Sequence, residues 1–288
     1  MSPNLAGAVL MMASMACFTF NDAATKSIGT QMPLFQMLFL RGVLSTILIL
    51  FLARTLGTVH FRIRRDDWLL IALRCVAEVV TAYFFLNALF NMQLANLTAI
   101  LQALPLTVTL GTALFFGEKV GWRRMLAIVV GFSGVLLIVR PGTDGFNVYA
   151  LYGLAAVMCV TVRDLATKKL SKDVPSMTVT LCAILSVMVF SGFASLATPW
   201  VPVTPQFAGL IALAALFILG GYYFSVATMR TGDVSFIAPF RYTGLIWSLL
   251  LGWLIFGDWP DGLTMLGAGI VVAMGLFTLY RERALLKG

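Results

Sequence analysis

Charge is scarce in this sequence. Only 11 % of its 288 residues are Asp, Glu, Lys or Arg, against about 25 % in a soluble globular domain. That excludes a water-soluble fold. Histidine is nearly absent: His60 stands alone in a loop, so a histidine-based metal centre is excluded. The four cysteines, Cys17, Cys75, Cys159 and Cys182, are 58, 84 and 23 residues apart, and each lies inside an apolar run. These spacings match no zinc or redox motif, and the thiols read as small buried hydrophobes. No HExxH, GxSxG or Walker A sequence occurs, which excludes a self-contained ATP-driven pump and leaves no signature of an enzyme. The first apolar run lacks a basic n-region and is too long for a cleavable signal peptide. No cofactor is implied.

What the chain has in abundance is apolar sequence. Hydrophobic residues make up 60 % of it, and the mean hydropathy is +0.95. A helix needs about 20 residues to cross a hydrocarbon core of ~30 Å. The pattern predicts ten such helices, over 4–28, 33–53, 67–90, 94–116, 122–139, 148–169, 176–197, 206–229, 234–256 and 262–281. The runs are too long for membrane strands and lack their alternation. Helices also satisfy their own backbone polar groups, as lipid requires. The expected fold class is therefore all-α, a polytopic membrane protein with ten transmembrane helices.

The net charge of +8 would suggest nucleic acid in a soluble protein. Here it is sorted between two sides, and no nucleic-acid partner is expected. With the N-terminus in the cytoplasm, the inner segments and helix ends hold Arg54, Arg62, Arg64, Arg65, Lys119, Arg123, Arg124, Lys168, Lys169, Lys172, Arg230, Arg281, Arg283 and Lys287. The outer ones hold only Lys26 and Arg140. This is a strong positive-inside bias, and it places both termini in the cytoplasm of a cell with the protein in its inner membrane. Trp68, Trp122, Trp200 and Trp259 fall at predicted helix ends, as interfacial anchors do.

The halves repeat. FNDAATKSI (20–28) resembles VRDLATKKL (162–170), YFFLNAL (83–89) resembles YYFSVAT (222–228), and FFGE (115–118) resembles IFGD (255–258), all at an offset near 140. Five helices per half is an odd number, so the second half inserts upside down. The predicted units are 1–145 and 146–288.

These features resemble the drug/metabolite transporter superfamily, EamA type. The resemblance rests on Arg41 in helix 2, the Tyr83–Leu89 segment of helix 3 and Pro105 in helix 4. It rests too on Gly117-Glu118 before a glycine-containing apolar helix, and on the counterparts in the second half. It covers essentially the whole chain. Members usually carry a mid-helix proline in both halves, whereas the position matching Pro105 falls near Gly244, with Pro239 five residues earlier. The family implies transport of amino acids, other metabolites or nutrients such as riboflavin, without fixing a substrate.

Ionisable groups at membrane depth mark the candidate site, because an Arg at a helix centre costs roughly 2.5–3.5 kcal/mol on insertion scales. Arg41 lies about 12 Å from the outer end of helix 2. It suits a substrate carboxylate, or pairs with an acid on another helix. Arg74 and Glu78 stand four apart on one helix face. They form an internal ion pair, or Glu78 carries a coupling proton that Arg74 tunes. Asp22 and Lys26 near the outer end, and Arg163 and Asp164 near the inner end, are expected as two gates, or else as cations reaching headgroups beside capping acids. Arg241 follows Pro239 and, with Tyr242 and Trp247, makes a candidate binding wall, or Arg241 snorkels to the cytoplasm. Tyr83 recurs in the doublet Tyr222 and Tyr223, whose rings can stack on a planar solute. Gln102 completes the substrate-binding set of Arg41, Tyr83, Gln102, Tyr223, Arg241, Tyr242 and Trp247.

The expected function is secondary transport by alternating access of small organic metabolites, amino acids or related carboxylate or aromatic solutes, with export as the expected direction. Nutrient import, as by a riboflavin transporter, is the alternative, and a membrane-embedded enzyme is the competing class. Expected partners are the solute, the lipid bilayer and protons, with the protein a monomer or weak dimer.

Overall fold

The computed structural model describes residues 2–56, 61, 63–117, 121–142, 146–171, 173–229, 231 and 234–286. His60, Glu118 and, among the basic residues counted above, Arg62, Lys119, Lys172, Arg230 and Lys287 lie outside the described residues.

Twelve α-helices are described: α1 (Pro3–Ile28), α2 (Leu34–Leu56), α3 (Arg65–Asn91), α4 (Leu94–Leu101), α5 (Leu104–Phe116), α6 (Trp122–Val139), α7 (Val148–Lys169), α8 (Ser176–Ser195), α9 (Pro205–Met229), α10 (Val234–Ile237), α11 (Thr243–Phe256) and α12 (Gly262–Leu286). They supply ten segments long and apolar enough to cross a membrane, and no strand occurs among the described residues. The fold is all-α, with five crossings in each half.

Two of the ten crossings are broken rather than continuous helices. The fourth is α4 and α5, broken at Gln102 and Ala103, and the ninth is α10 and α11, joined by the 3₁₀ segment Ala238–Tyr242. The cause is proline. Pro105 and Pro239 each sit in the first turn after a break, where the missing N–H costs no bond but the ring bars a continuous ladder from the preceding turn. The two prolines are out of register between the halves, yet the breaks coincide. The C-terminal ends match as well: Gly117 and Gly257 both cap their helices at φ +67°, a left-handed conformation that glycine adopts without a Cβ penalty.

The pairing of helices carries the symmetry. The most extensive contacts are α1 with α9, α3 with α7, α6 with α12 and α2 with α8, that is, crossings 1–8, 3–6, 5–10 and 2–7. Exchanging the halves turns 1–8 into 6–3 and leaves 5–10 and 2–7 as they are. Every major pair joins the two halves, so neither forms a bundle by itself. In lipid such pairs are held by close packing rather than by the hydrophobic effect. The α6–α12 crossing shows how: a Cβ on Gly267 would lie 2.5 Å from the Gly134 carbonyl oxygen, and one on Gly134 2.8 Å from that of Gly267. Only paired glycines let these backbones touch.

The largest packed core lies at one end of the bundle. Ile28, Met32, Leu86, Leu89, Leu94, Leu97, Ile100, Val139 and Ile211 all belong to it. It sits at the basic-poor end, beside Lys26 and Arg140. A small second cluster, Ile49, Met177 and Leu181, packs nearer the basic-rich end.

Candidate functional site

Ionisable side chains inside the crossings gather along the seam between the halves. Glu78 lies thirteen residues from either end of α3, at mid-membrane. Its carboxylate meets Arg163 of α7 at 3.5 Å, and Arg163 also binds Asp164 at 2.9 Å. The locally expected Arg74–Glu78 pair does not form: Arg74 instead donates to the Thr167 hydroxyl of α7 at 2.6 Å. The i,i+4 spacing permits that pair, but α7 packs against this face of α3 and offers each side chain a partner across the interface. Ion pairing thus ties one half to the other rather than stiffening a single helix.

A second group lies toward the basic-poor end. The Asn21 carboxamide donates to Asp22 at 2.9 Å and accepts from Arg41 of α2 at 3.4 Å. The carboxylates of Asp22 and Glu78 lie near enough to the Arg41 guanidinium to favour its charge, and the Tyr222 phenol lies close by. Tyr222 of α9 in turn lies near Glu78, Arg163, Arg74 and Arg41. Charged and polar side chains therefore line one seam from Asp22 through Arg41, Tyr222, Glu78 and Arg163 to Asp164. It carries three acids, Asp22, Glu78 and Asp164, and three arginines, Arg41, Arg74 and Arg163. The balance matters, because a lone charge at this depth is costly and an intramembrane pair or cavity lowers that cost.

The structure divides the remaining sequence candidates. Gln102 is buried at the break in the fourth crossing, with its Nε2 3.9 Å from where a Cβ on Gly244 would sit. The broken helices thus meet there. Trp247 is half-buried against Phe20 at 6.1 Å between ring centres, and Phe20 stacks on Phe217 at 5.0 Å. Tyr83 is exposed and lies among Phe35, Phe84 and Tyr152. Tyr223 is exposed beside Phe224, whereas its neighbour Tyr222 turns into the seam. Successive helical residues point ~100° apart, so only one of the doublet can. Tyr242 is buried with its hydroxyl against Gly275 and has no hydrogen-bond partner among the described residues. Arg241 is exposed on the 3₁₀ segment and forms no ion pair among the described residues.

Lys26 forms no ion pair with Asp22 among the described residues. Its Nζ donates to the carbonyls of Leu89 and Met92 at 2.9 and 2.7 Å, capping the negative C-terminal end of α3. It lines a polar cavity of about 450 Å³ together with Asn91, Gln93, Asn96 and Asn147; none of the other candidate residues lines it. Polar contacts close both ends of the bundle between the halves. Gln36 of α2 exchanges two bonds with the Val201 backbone, at 2.7 and 2.9 Å, and Arg140 binds Asp261 and Thr264. At the basic-rich end the buried Asp67 accepts from the Ser171 N–H at 3.0 Å and from its hydroxyl. Among the described residues no group of three or more His, Cys, Asp or Glu could hold a metal ion.

Sequence reasoning did not single out Asn21, Thr167 or Asp67. Asn21 and Arg163 hold corresponding places in the motif at 20–28 and 162–170. Both touch the aspartate that follows them, so the repeated motif is the signal that finds them.

Comparison with known proteins agrees with this architecture. The S-adenosylmethionine uptake transporter of Rickettsia prowazekii (strain Madrid E) is 26 % identical over 287 residues, 97 % of this chain and 94 % of the relative. The riboflavin transporter of Vibrio cholerae serotype O1 is 30 % identical over 275 residues, 93 % and 91 % of the two chains. A pseudopaline exporter of Pseudomonas aeruginosa (strain UCBPP-PA14) is 25 % identical over 95 % of this chain and 96 % of its own length. A crystal structure with 18 % identity superposes at a TM-score of 0.62, covering 96 % of this chain and 98 % of the other, which shows a shared fold. The EamA-like transporter family model matches the chain twice, at residues 5–140 and 147–280, once per five-helix half; the chain belongs to the EamA-like transporter family.

Proposed function

We propose that this protein is a secondary transporter that moves a small organic metabolite bearing a carboxylate, a planar ring or both across the bacterial inner membrane by alternating access. The observation that carries the reading is the charge-balanced seam at membrane depth between two interlocked halves, 1–145 and 146–288. Inverted repeats place their binding sites at such an interface near the bilayer midplane. Arg41, most of whose donors are uncommitted among the described residues, receives the carboxylate, and Trp247 and Phe20 flank the ring. Asp22 and Asp164 lie toward opposite ends of the seam as its two gates, and Glu78 carries a coupling proton. The basic-rich end faces the cytoplasm, with both termini there, and the working unit is a monomer or weak dimer.

Export is the direction proposed. Import is a second reading, favoured by the names of the S-adenosylmethionine and riboflavin relatives. The test is saturable uptake and counterflow in proteoliposomes, with S-adenosylmethionine, riboflavin and an amino-acid panel as solutes. Transport that is lost in Arg41→Met, and loses its dependence on a proton gradient in Glu78→Gln, supports the proposal. No counterflow for any solute, or full activity in Arg41→Met, refutes it.

A further inference from the structure

The two halves use the same motif differently, and the difference lies in one residue. In α7, Arg163 binds Asp164 through both Nε and Nη2 at 2.9 Å and reaches Glu78 at 3.5 Å. The cation touches both acids, and that network is closed. In α1 the corresponding residue is the neutral Asn21. Its Nδ2 donates to Asp22 and its Oδ1 accepts from Arg41. No direct ion pair joins Arg41 to Asp22 among the described residues, although each feels the other's charge. The carboxamide wedges an acid and a base apart.

A wedged pair has capacity left over. A guanidinium carries five N–H donors and a carboxylate about four acceptor positions. Among the described residues each of these side chains makes one hydrogen bond, both with Asn21, which donates to Asp22 and accepts from Arg41. We propose that Asn21 is a spacer that holds Arg41 and Asp22 apart as a receptor for a zwitterionic head group, the solute's carboxylate on Arg41 and its ammonium on Asp22. This rests on the transport reading above and names the head group that the same site takes. The planar fork of Arg41 suits a carboxylate, and Asp22 offers its second oxygen to an ammonium. A direct Arg41–Asp22 bridge would satisfy both charges and leave the solute to compete with it. The Arg163 network is that closed alternative, and it holds the halves together instead of receiving solute.

The test uses full-length protein in proteoliposomes and four solutes: L-phenylalanine, 3-phenylpropionate, 2-phenylethylamine and riboflavin. The first three share a ring and differ in head group, and riboflavin has neither charge. Wild type should favour phenylalanine over the two single-charge analogues by about tenfold to a hundredfold, the scale of one charge-assisted hydrogen bond. Asn21→Ala lets Arg41 and Asp22 close on each other, and Asn21→Arg copies the second half. Both should collapse the ratio of phenylalanine to riboflavin uptake, mainly by raising KM for phenylalanine. Asn21→Gln, which keeps a carboxamide, should retain part of that ratio and reports the role even where the arginine variant fails to fold. A purely structural role would lower uptake of every solute alike and leave the ratio intact, which overturns the proposal. So does wild-type uptake without preference for phenylalanine, while the transport reading stands. No uptake of any solute overturns both.

Discussion

Alanine at Gly267 should weaken the protein, whereas alanine two residues later should not. A Cβ on Gly267 would stand 2.5 Å from the Gly134 carbonyl oxygen, 2.9 Å from Ile138 Cγ1 and 3.2 Å from Leu137 Cβ. The oxygen is backbone and cannot rotate away, and a comfortable C···O contact is about 3.3–3.6 Å. The two helices must therefore separate by roughly 1 Å, and a gap of that size forfeits a quarter to a half of each contact it opens. Overpacking of this kind costs about 1–3 kcal/mol. Gly269 is exposed and has nothing within 4 Å of its added Cβ. Alanine there avoids the entropic cost of glycine in a helix, about 0.5–1 kcal/mol. The two variants should differ by about 1.5–4 kcal/mol. Reversible unfolding in mixed dodecylmaltoside–SDS micelles reads that difference directly. Gly134→Ala meets the Gly267 oxygen at 2.8 Å, so the double variant should cost less than the sum of the singles, because the first substitution already parts the helices. Wild-type stability for Gly267→Ala, or an equal loss in Gly269→Ala, would refute the account of this crossing.

Two further outcomes follow from the charged contacts. Arg163→Met strands both Glu78 and Asp164 and should destabilise by about 3–5 kcal/mol; Glu78→Gln leaves Arg163 its bond to Asp164 and should cost clearly less in the same unfolding assay, an order whose reversal would sink the assignment of Arg163 as the shared cation. At the basic-poor end, the Thr264 N–H, with help from Arg140, holds the Asp261 carboxyl below the usual carboxylate range. A lowered value adds stability above the unfolded-state pKa, lost only as pH falls through the folded-state one. The stability gap between wild type and Asp261→Asn should thus be the same at pH 7 and pH 6, and a gap that shrinks over that interval would contradict it.

The ten crossings were legible in the sequence because lipid imposes one rule on every segment, and all fall within a few residues of their predicted positions. The inverted repeat was legible because an odd helix number per half leaves no other arrangement. The candidate site was legible only in part. Charged residues announce themselves at depth by their insertion cost, which is how Arg41, Glu78, Arg163 and both aspartates came to notice. Neutral Asn21 carries no such mark. Partnership was not legible either: local spacing offers Arg74 to Glu78, and only the packing of α7 on α3 hands that carboxylate to Arg163. Tyr222 and Tyr223 are equivalent in composition, and only the rotation of α9 separates them. The break at Gln102 precedes its proline by three residues, because a ring in the first turn disturbs the turn before it.

The exchange symmetry of the helix pairs carries a consequence for energetics. Since 1–8 becomes 6–3 when the halves trade roles, an arrangement related by a half-turn about an axis in the membrane plane would reuse nearly the same interfaces. The two arrangements are then close to degenerate, separated by what the repeats do not share. Asn21 against Arg163 is one such departure, and the core gathered beside Lys26 is another. With so small a gap, a solute need bind one arrangement only several-fold more tightly than the other to tip the balance.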